Sequence, residues 1–249
     1  MPERLTVAEQ IVLTTGADYW STASFPAAGL RSLRLADGPH GLRIQDDENP
    51  DHLGLGRSLP ATCFPPAVAL ASSWDPALVR EVGQALGREA RSHGVNVVLG
   101  PGMNIKRSPL CGRNFEYFSE DPLLSGFLAA AMVDGLQSEG VAACLKHFAA
   151  NNQETDRQRV SADIDERTLR EIYLRNFQIA IREANPWSVM SAYNKINGVY
   201  ASENRWLLTL TPRGVGLRRR RRVGLGCGAR PSGSRRGRYR SPDARAPRG

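Results

Sequence analysis

Short apolar runs alternate with longer amphipathic stretches along most of the chain. Ser32–Ala36, Ala67–Ala71, Val95–Leu99, Val141–Leu145 and Ser188–Ala192 are continuous apolar runs. Such runs predict parallel strands covered on both faces, where no side is left for water. Between them lie helical patterns. Asp75-Pro76 predicts an N-cap followed by proline at the first helical position, leading into ALVREVGQALGREA. The stretch from Pro122 to Gly140 reads as a second helix, and Asp165 is placed to cap ERTLREIYLRNFQIAIREA. Repeated strand–helix units of this length predict a parallel α/β architecture, with a barrel and a doubly wound sheet both open.

Polar residues at the strand ends favour the barrel. Asp37-Gly38-Pro39-His40 follows the first run, Lys146-His147 follows the fourth, and Tyr193-Asn194 follows the fifth. Chemistry-bearing groups at the C-terminal ends of several strands would converge on one rim of a (β/α)8 barrel. No glycine-rich phosphate loop follows a strand.

Charge changes the picture at one place. The chain of 249 residues has a formal net charge of +8, which would suit nucleic acid. Yet 13 of its 33 basic residues and one of its 25 acidic residues fall between Leu210 and Gly249. The remaining 209 residues carry 20 basic and 24 acidic side chains and are mildly acidic. The reading is therefore two parts: a globular body over 1–209, and a disordered Arg-rich tail over 210–249 with too little apolar content to order itself. The tail contains one aromatic residue, Tyr239, so base stacking is poorly served and no nucleic-acid partner is expected.

Other classes are set aside on simple grounds. No apolar run is long enough to span a bilayer, so no membrane association is expected. The N-terminus shows no signal-peptide pattern, which places the protein in the cytoplasm. Cys63, Cys111, Cys144 and Cys227 are scattered and read as reduced, buried thiols. No metal is expected, since the four histidines and the carboxylates lack ligand spacing, and no cofactor is implied.

Four segments carry a resemblance. LADGPHGLR (35–43), GRNFEYFSEDP (112–122), CLKHFAANNQETDR (144–157) and VMSAYNKINGVYASEN (189–204) resemble, in order and spacing, the barrel-domain motifs of glycoside hydrolase family 3. The opening TVAEQIVLTTGADYW is similar to that family's entry helix. The resemblance runs from about Leu5 to Thr209. It implies an incomplete (β/α)8 TIM-type barrel of about six units. It also implies a retaining β-glucosidase or related exo-acting β-glycosidase, acting on a β-glucoside or similar carbohydrate through two carboxylic acids about 5 Å apart.

By that resemblance Asp37 accepts hydrogen bonds from distal sugar hydroxyls, while Arg113, Lys146 and His147 are the donors that grip the ring hydroxyls. Tyr193 stands beside the nucleophile, and Met190 lines the same pocket. Taken alone, Asp37 would be a turn residue, Arg113 an ion-pair partner of Glu116 or Glu120, His147 a core histidine and Met190 core. Glu116, Glu120 and Asp121 read as buttresses and caps; Trp187, Glu154 and Asp156 stay open. The loop His147-Phe148-Ala149-Ala150-Asn151 lacks the second histidine of the family's N-acetylglucosaminidases, which favours the glucosidase or xylosidase branch.

The family's nucleophile, an aspartate in a VVSDW-like strand end, is missing about thirty residues after Tyr193, and its acid/base belongs to a later domain. The expected aspartate falls near Gly224/Leu225. Arg213–Gly226 can be encoded so that the same nucleotides, read one base later, spell GEWGFDGVVVSDW. The tail therefore reads as out-of-frame translation beginning near Leu210, and the chain as written is expected to be inactive. The rival readings are a non-catalytic sugar-binding pseudoenzyme domain, and nucleic-acid binding through the tail.

Overall fold

The computed structural model describes residues 5–45 and 57–213; Cys227, the Gly224/Leu225 position and nearly all of the 210–249 tail lie outside them. The order is α1 (Val7–Thr15), β1 (Leu35–Ala36), α2 (Ala67–Ser72), α3 (Pro76–Ser92), β2 (Val97–Val98), α4 (Pro122–Ser138) and β3 (Ala142–Phe148). Then follow β4 (Ser161–Ala162), α5 (Glu166–Thr168), a π-helical turn Leu169–Tyr173, α6 (Arg175–Ala184), β5 (Ser188–Ser191), β6 (Lys195–Ile196), β7 (Val199–Tyr200) and α7 (Arg205–Arg213).

The chain has an α/β fold with a parallel sheet. β1, β2, β3 and β5 lie side by side in that order, every pair parallel. Among the described residues the sheet is not closed, and β1 and β5 are its outer strands. Side chains alternate across it, as the pleat requires. Ala36, Val98, Ala143 and Leu145 join the main core with the helices. Leu35, Val97, Leu99, Ala142 and Cys144 form a second, smaller cluster, against which Trp20 and Met190 pack. A separate three-stranded sheet, β4-β6-β7, has no counterpart among the strands expected from the sequence.

The helices form where their caps and stripes say they should. Asp75 accepts from the amides of Ala77 and Leu78 at 2.8 and 3.2 Å, satisfying N–H groups that the first turn of α3 cannot. Asp121 does the same for α4 through Leu123, at 2.7 Å. α3 buries Val79, Gly83, Leu86, Gly87 and Ala90, one helical stripe. Gly83 and Gly135 let α3 and α4 touch closely: a Cβ on Gly135 would meet the Arg80 carbonyl oxygen at 2.3 Å.

Three expectations are corrected. Ala67–Ala71 is not a strand but α2, which starts after Pro66. A five-residue apolar run has no period that separates strand from helix, and the Ala-rich AVALAS favours helix. The parallel sheet accordingly has four described strands, fewer than the expected six units. The helix after Asp165 is broken by the π-turn. Its buried residues Leu169, Tyr173, Phe177 and Ile181 recur every four positions, and the wider π-turn absorbs the drift that a 3.6-residue helix would build up. Of the cysteines, Cys144 is buried, Cys111 is partly covered and Cys63 is exposed, because Cys63 lies in the largely exposed 57–66 segment before α2.

Candidate active site

Asp37, at the end of β1, and Lys146, near the end of β3, meet above the parallel sheet. Lys146 Nζ lies 3.8 Å from Asp37 Oδ1 and 3.5 Å from Glu116 Oε2. Arg113, just before the 3-10 turn Asn114–Glu116, donates from Nε to Glu116 Oε1. Glu116 is thus a hub between two cations. The Lys146 and Glu116 side chains are only 5% and 6% exposed, while Asp37 is 41% exposed. The buried pair holds the ammonium in place, and Asp37 presents the open face.

Asp37 is held by its turn. Arg43 N–H donates to the Asp37 carbonyl at 3.0 Å, and Phe64 N–H donates to the His40 carbonyl at 2.8 Å. The His40 ring Nε2 accepts from Ala67 N–H at 2.9 Å, tying the turn to the start of α2. Gly38, with φ near +101°, allows the chain to fold back: a Cβ there would sit 1.8 Å from the Gly41 carbonyl oxygen.

His147 is buried beside this cluster. Asn104 Oδ1 accepts from the His147 backbone N–H at 2.9 Å and lies 3.1 Å from its Nδ1, while Asn104 Nδ2 donates to the His147 carbonyl at 2.9 Å. The Tyr117 hydroxyl is 3.4 Å from the same Nδ1. These partners favour a proton on Nδ1 and leave Nε2 as an acceptor rather than the donor expected from the resemblance. Burial, then the Arg113 and Lys146 charges, holds the imidazole well below its usual pKa of 6.5, so it is neutral near pH 7. The sign follows: the unfolded chain takes up this proton below pH 6.5 and the folded chain does not, so stability falls as pH drops through that range. Thermal melts at pH 7.5 and 5.5 should show the lower value at 5.5, and His147→Gln should shrink that difference if the protein keeps its fold.

Tyr193 follows β5, whose partner in the sheet is β3. The Arg157 guanidinium lies over its ring, 5.4 Å from the centroid, and bonds Glu154 at 2.8 Å. Met190 is half-buried on the smaller apolar cluster. Sequence reasoning missed Asn104, His40 and Arg157 as members of this assembly. His40 and Arg157 sit inside two of the motifs, but nothing in the local pattern marks Asn104. Glu154 is drawn in through Arg157, whereas Asp156 pairs with the exposed Arg159. Trp187 donates from its backbone to Gln137, far from the cluster in sequence and contact. Among the described residues no group of three or more His, Cys, Asp or Glu side chains could hold a metal ion. No helix among them is long and apolar enough to cross a membrane.

Two cations, two carboxylates and a neutral imidazole at the strand ends form a polar cluster suited to a hydroxyl-rich neutral ligand. The Glycosyl hydrolase family 3 N terminal domain matches residues 42–214. The chain belongs to glycosyl hydrolase family 3. Relatives in the family include thermostable β-glucosidase B of Acetivibrio thermocellus, 56% identical over 207 residues, or 83% of this chain and 27% of that protein. An exo-α-(1→6)-L-arabinopyranosidase of Bifidobacterium longum is 52% identical over 82% of this chain and 27% of its own length. Among solved family 3 structures, β-glucosidase 3B of Thermotoga neapolitana in complex with glucose superposes with a TM-score of 0.78 at 49% identity. That match covers 84% of this chain and 31% of the other. The chain thus spans about a quarter of the length of these curated relatives.

Proposed function

We infer that this chain is the glycone-binding part of a retaining exo-β-glycosidase, with a terminal β-D-glucoside or close relative as substrate. The observation that carries it is Lys146 held between Asp37 and Glu116, with Arg113 on the other side of Glu116. Asp37 accepts hydrogen bonds from two sugar hydroxyls, Lys146 and Arg113 donate to hydroxyl oxygens on the ring, and His147 Nε2 accepts a hydrogen bond from one more hydroxyl. Tyr193, steadied by Arg157, lies where an attacking carboxylate would need orientation. The four-stranded parallel sheet continues, in this reading, into a closed (β/α)8 barrel whose further units join the outer strands β1 and β5.

Retaining hydrolysis needs a carboxylate to attack the anomeric carbon and a second carboxylic acid to protonate the leaving oxygen; water then releases the sugar from the first. Neither group stands among the residues of this cluster. We place the division at about residue 209, with 210–249 an out-of-frame tail, and the chain as written binds sugar without cleaving it. The L-arabinopyranosidase relative supports a six-membered glycone in general rather than glucose alone. Isothermal titration calorimetry of the purified chain with glucose tests the reading. A dissociation constant on the order of 1 mM, about −4 kcal/mol, is expected, and Asp37→Ala should weaken it at least about tenfold. No heat from the wild-type chain up to about 100 mM glucose, some hundredfold above that constant, would defeat it.

A further inference from the structure

Asn104 lies outside the charged cluster, yet it grips His147 at three atoms. The cause starts in the backbone. Residues 101–103 run beside β3: Lys146 N–H donates to the Pro101 carbonyl at 3.1 Å, and Met103 N–H donates to the Lys146 carbonyl at 2.8 Å. At Asn104 the side chain supplies the next rung. Its Oδ1 accepts from His147 N–H and its Nδ2 donates to the His147 carbonyl, both at 2.9 Å. The preceding Met103 carbonyl accepts in turn from Asn176 Nδ2, on α6, and from Ser125 Oγ, on α4. Asn104, Ser125 and Asn176 are all buried, so none of these bonds is readily exchanged for one to water.

The two bonds to His147 fix which way the amide faces. Turned over, Asn104 would set an amide N–H against an N–H and an oxygen against a carbonyl oxygen. It is therefore Oδ1, with its second lone pair, that stands 3.1 Å from His147 Nδ1. Burial keeps the imidazole neutral near pH 7, and a neutral ring carries one N–H, placed by the bond its nitrogens make. Facing an oxygen that can only accept, Nδ1 carries the proton. A competing group lies close by. The Tyr117 hydroxyl, also buried, is 3.4 Å from the same Nδ1. A hydroxyl donates as well as accepts, and Tyr117 donating to Nδ1 would drive the ring proton to Nε2. The nearer, one-way acceptor decides.

We propose that Asn104 is a positioning residue that carries the direction of the His147 peptide onto the ring and so makes Nε2 an acceptor. Without it, Tyr117 donates to Nδ1 and Nε2 becomes a donor. The consequence for the ligand rests on the glycone reading above: the sugar hydroxyl that meets His147 must donate. The tautomer itself does not depend on that reading.

The test reads the tautomer directly, from proton–nitrogen NMR correlations of the full chain labelled with nitrogen-15 histidine, without sugar and near pH 7. The His147 signals are those missing from His147→Gln. The wild-type chain should show Nδ1–H in excess over Nε2–H by about tenfold, the weight of roughly one buried hydrogen bond. Tyr117→Phe should keep that excess, whereas Asn104→Leu should reverse it. An Nε2–H majority in the wild-type chain, a reversal in Tyr117→Phe, or an unchanged ratio in Asn104→Leu overturns the proposal. The last is what a purely structural role for Asn104 predicts. If Asn104→Leu loses its dispersed amide spectrum, the wild-type chain and Tyr117→Phe still decide the matter. Calorimetry with glucose keeps the two readings apart. The expected tautomers without glucose binding would defeat the glycone reading alone, and glucose binding with an Nε2–H majority would defeat this inference alone.

Discussion

Restoring the reading frame near codon 210 by one base should turn a chain without measurable aryl β-glucosidase activity into one working at an ordinary rate, on the order of 10 per second. In the function proposed above the chain as written lacks its nucleophile, and loss of a catalytic nucleophile costs about 10⁶ in rate in a serine protease. The shifted frame over Arg213–Gly226 would supply a VVVSDW strand whose aspartate codon straddles Gly224 and Leu225. That strand would bring the nucleophile and a hydrogen-bonding neighbour for the sheet together, so solubility and activity should return in the same restored protein. The gene's nucleotides check the premise first. Codons over Gly224 and Leu225 that give no aspartate in the shifted frame would make the tail a basic extension in its own right.

The second large effect is on stability. Glu116→Gln should destabilise the fold by about 3–5 kcal/mol, the usual result of leaving buried charge without its partner. Glu116 faces both Lys146 and Arg113, and its side chain and that of Lys146 are almost wholly buried. Asp37 lies at 3.8 Å and is far more exposed, so it cannot take over. Urea unfolding should show the midpoint falling sharply for Glu116→Gln. Arg159→Ala, which breaks the exposed pair with Asp156, should move it by less than about 1 kcal/mol equivalent. Similar small shifts for both would mean the two cations do not depend on Glu116.

The parts of the fold that are legible in the sequence have local causes. Asp75-Pro76 and Asp121-Pro122 announce α3 and α4 because a cap and a fixed proline φ act within one turn. Val141–Leu145 stands out as a strand because both faces of the sheet are covered there, whereas Ser188–Ala192 is apolar in pattern but only half-buried from Val189 to Ser191. What is not legible depends on distant contacts. Ala67–Ala71 is an apolar run too short to show a period, and its alanines, Pro66 and the packing of Leu70 and Ala71 on the core make it helical. The π-turn answers a fourfold spacing of buried residues that becomes meaningful once the sheet is in place. At the site, the motifs deliver Asp37, Arg113, Lys146 and His147. Glu116 reads as a buttress in the sequence, but its position between two cations joins segments 30 residues apart and leaves no periodic trace. Asn104, which fixes the His147 ring, belongs to none of the motifs.

The central claim is that the Asp37–Lys146–Arg113 cluster receives a pyranose ring. A crystal of the 249-residue chain soaked in glucose tests it most directly. The account predicts one glucose at the ends of β1 and β3, with hydroxyl oxygens at hydrogen-bond distance, about 2.7–3.2 Å, from Asp37, Lys146 and His147 Nε2. Glucose bound elsewhere on the chain, with this cluster empty at saturating sugar, would contradict it.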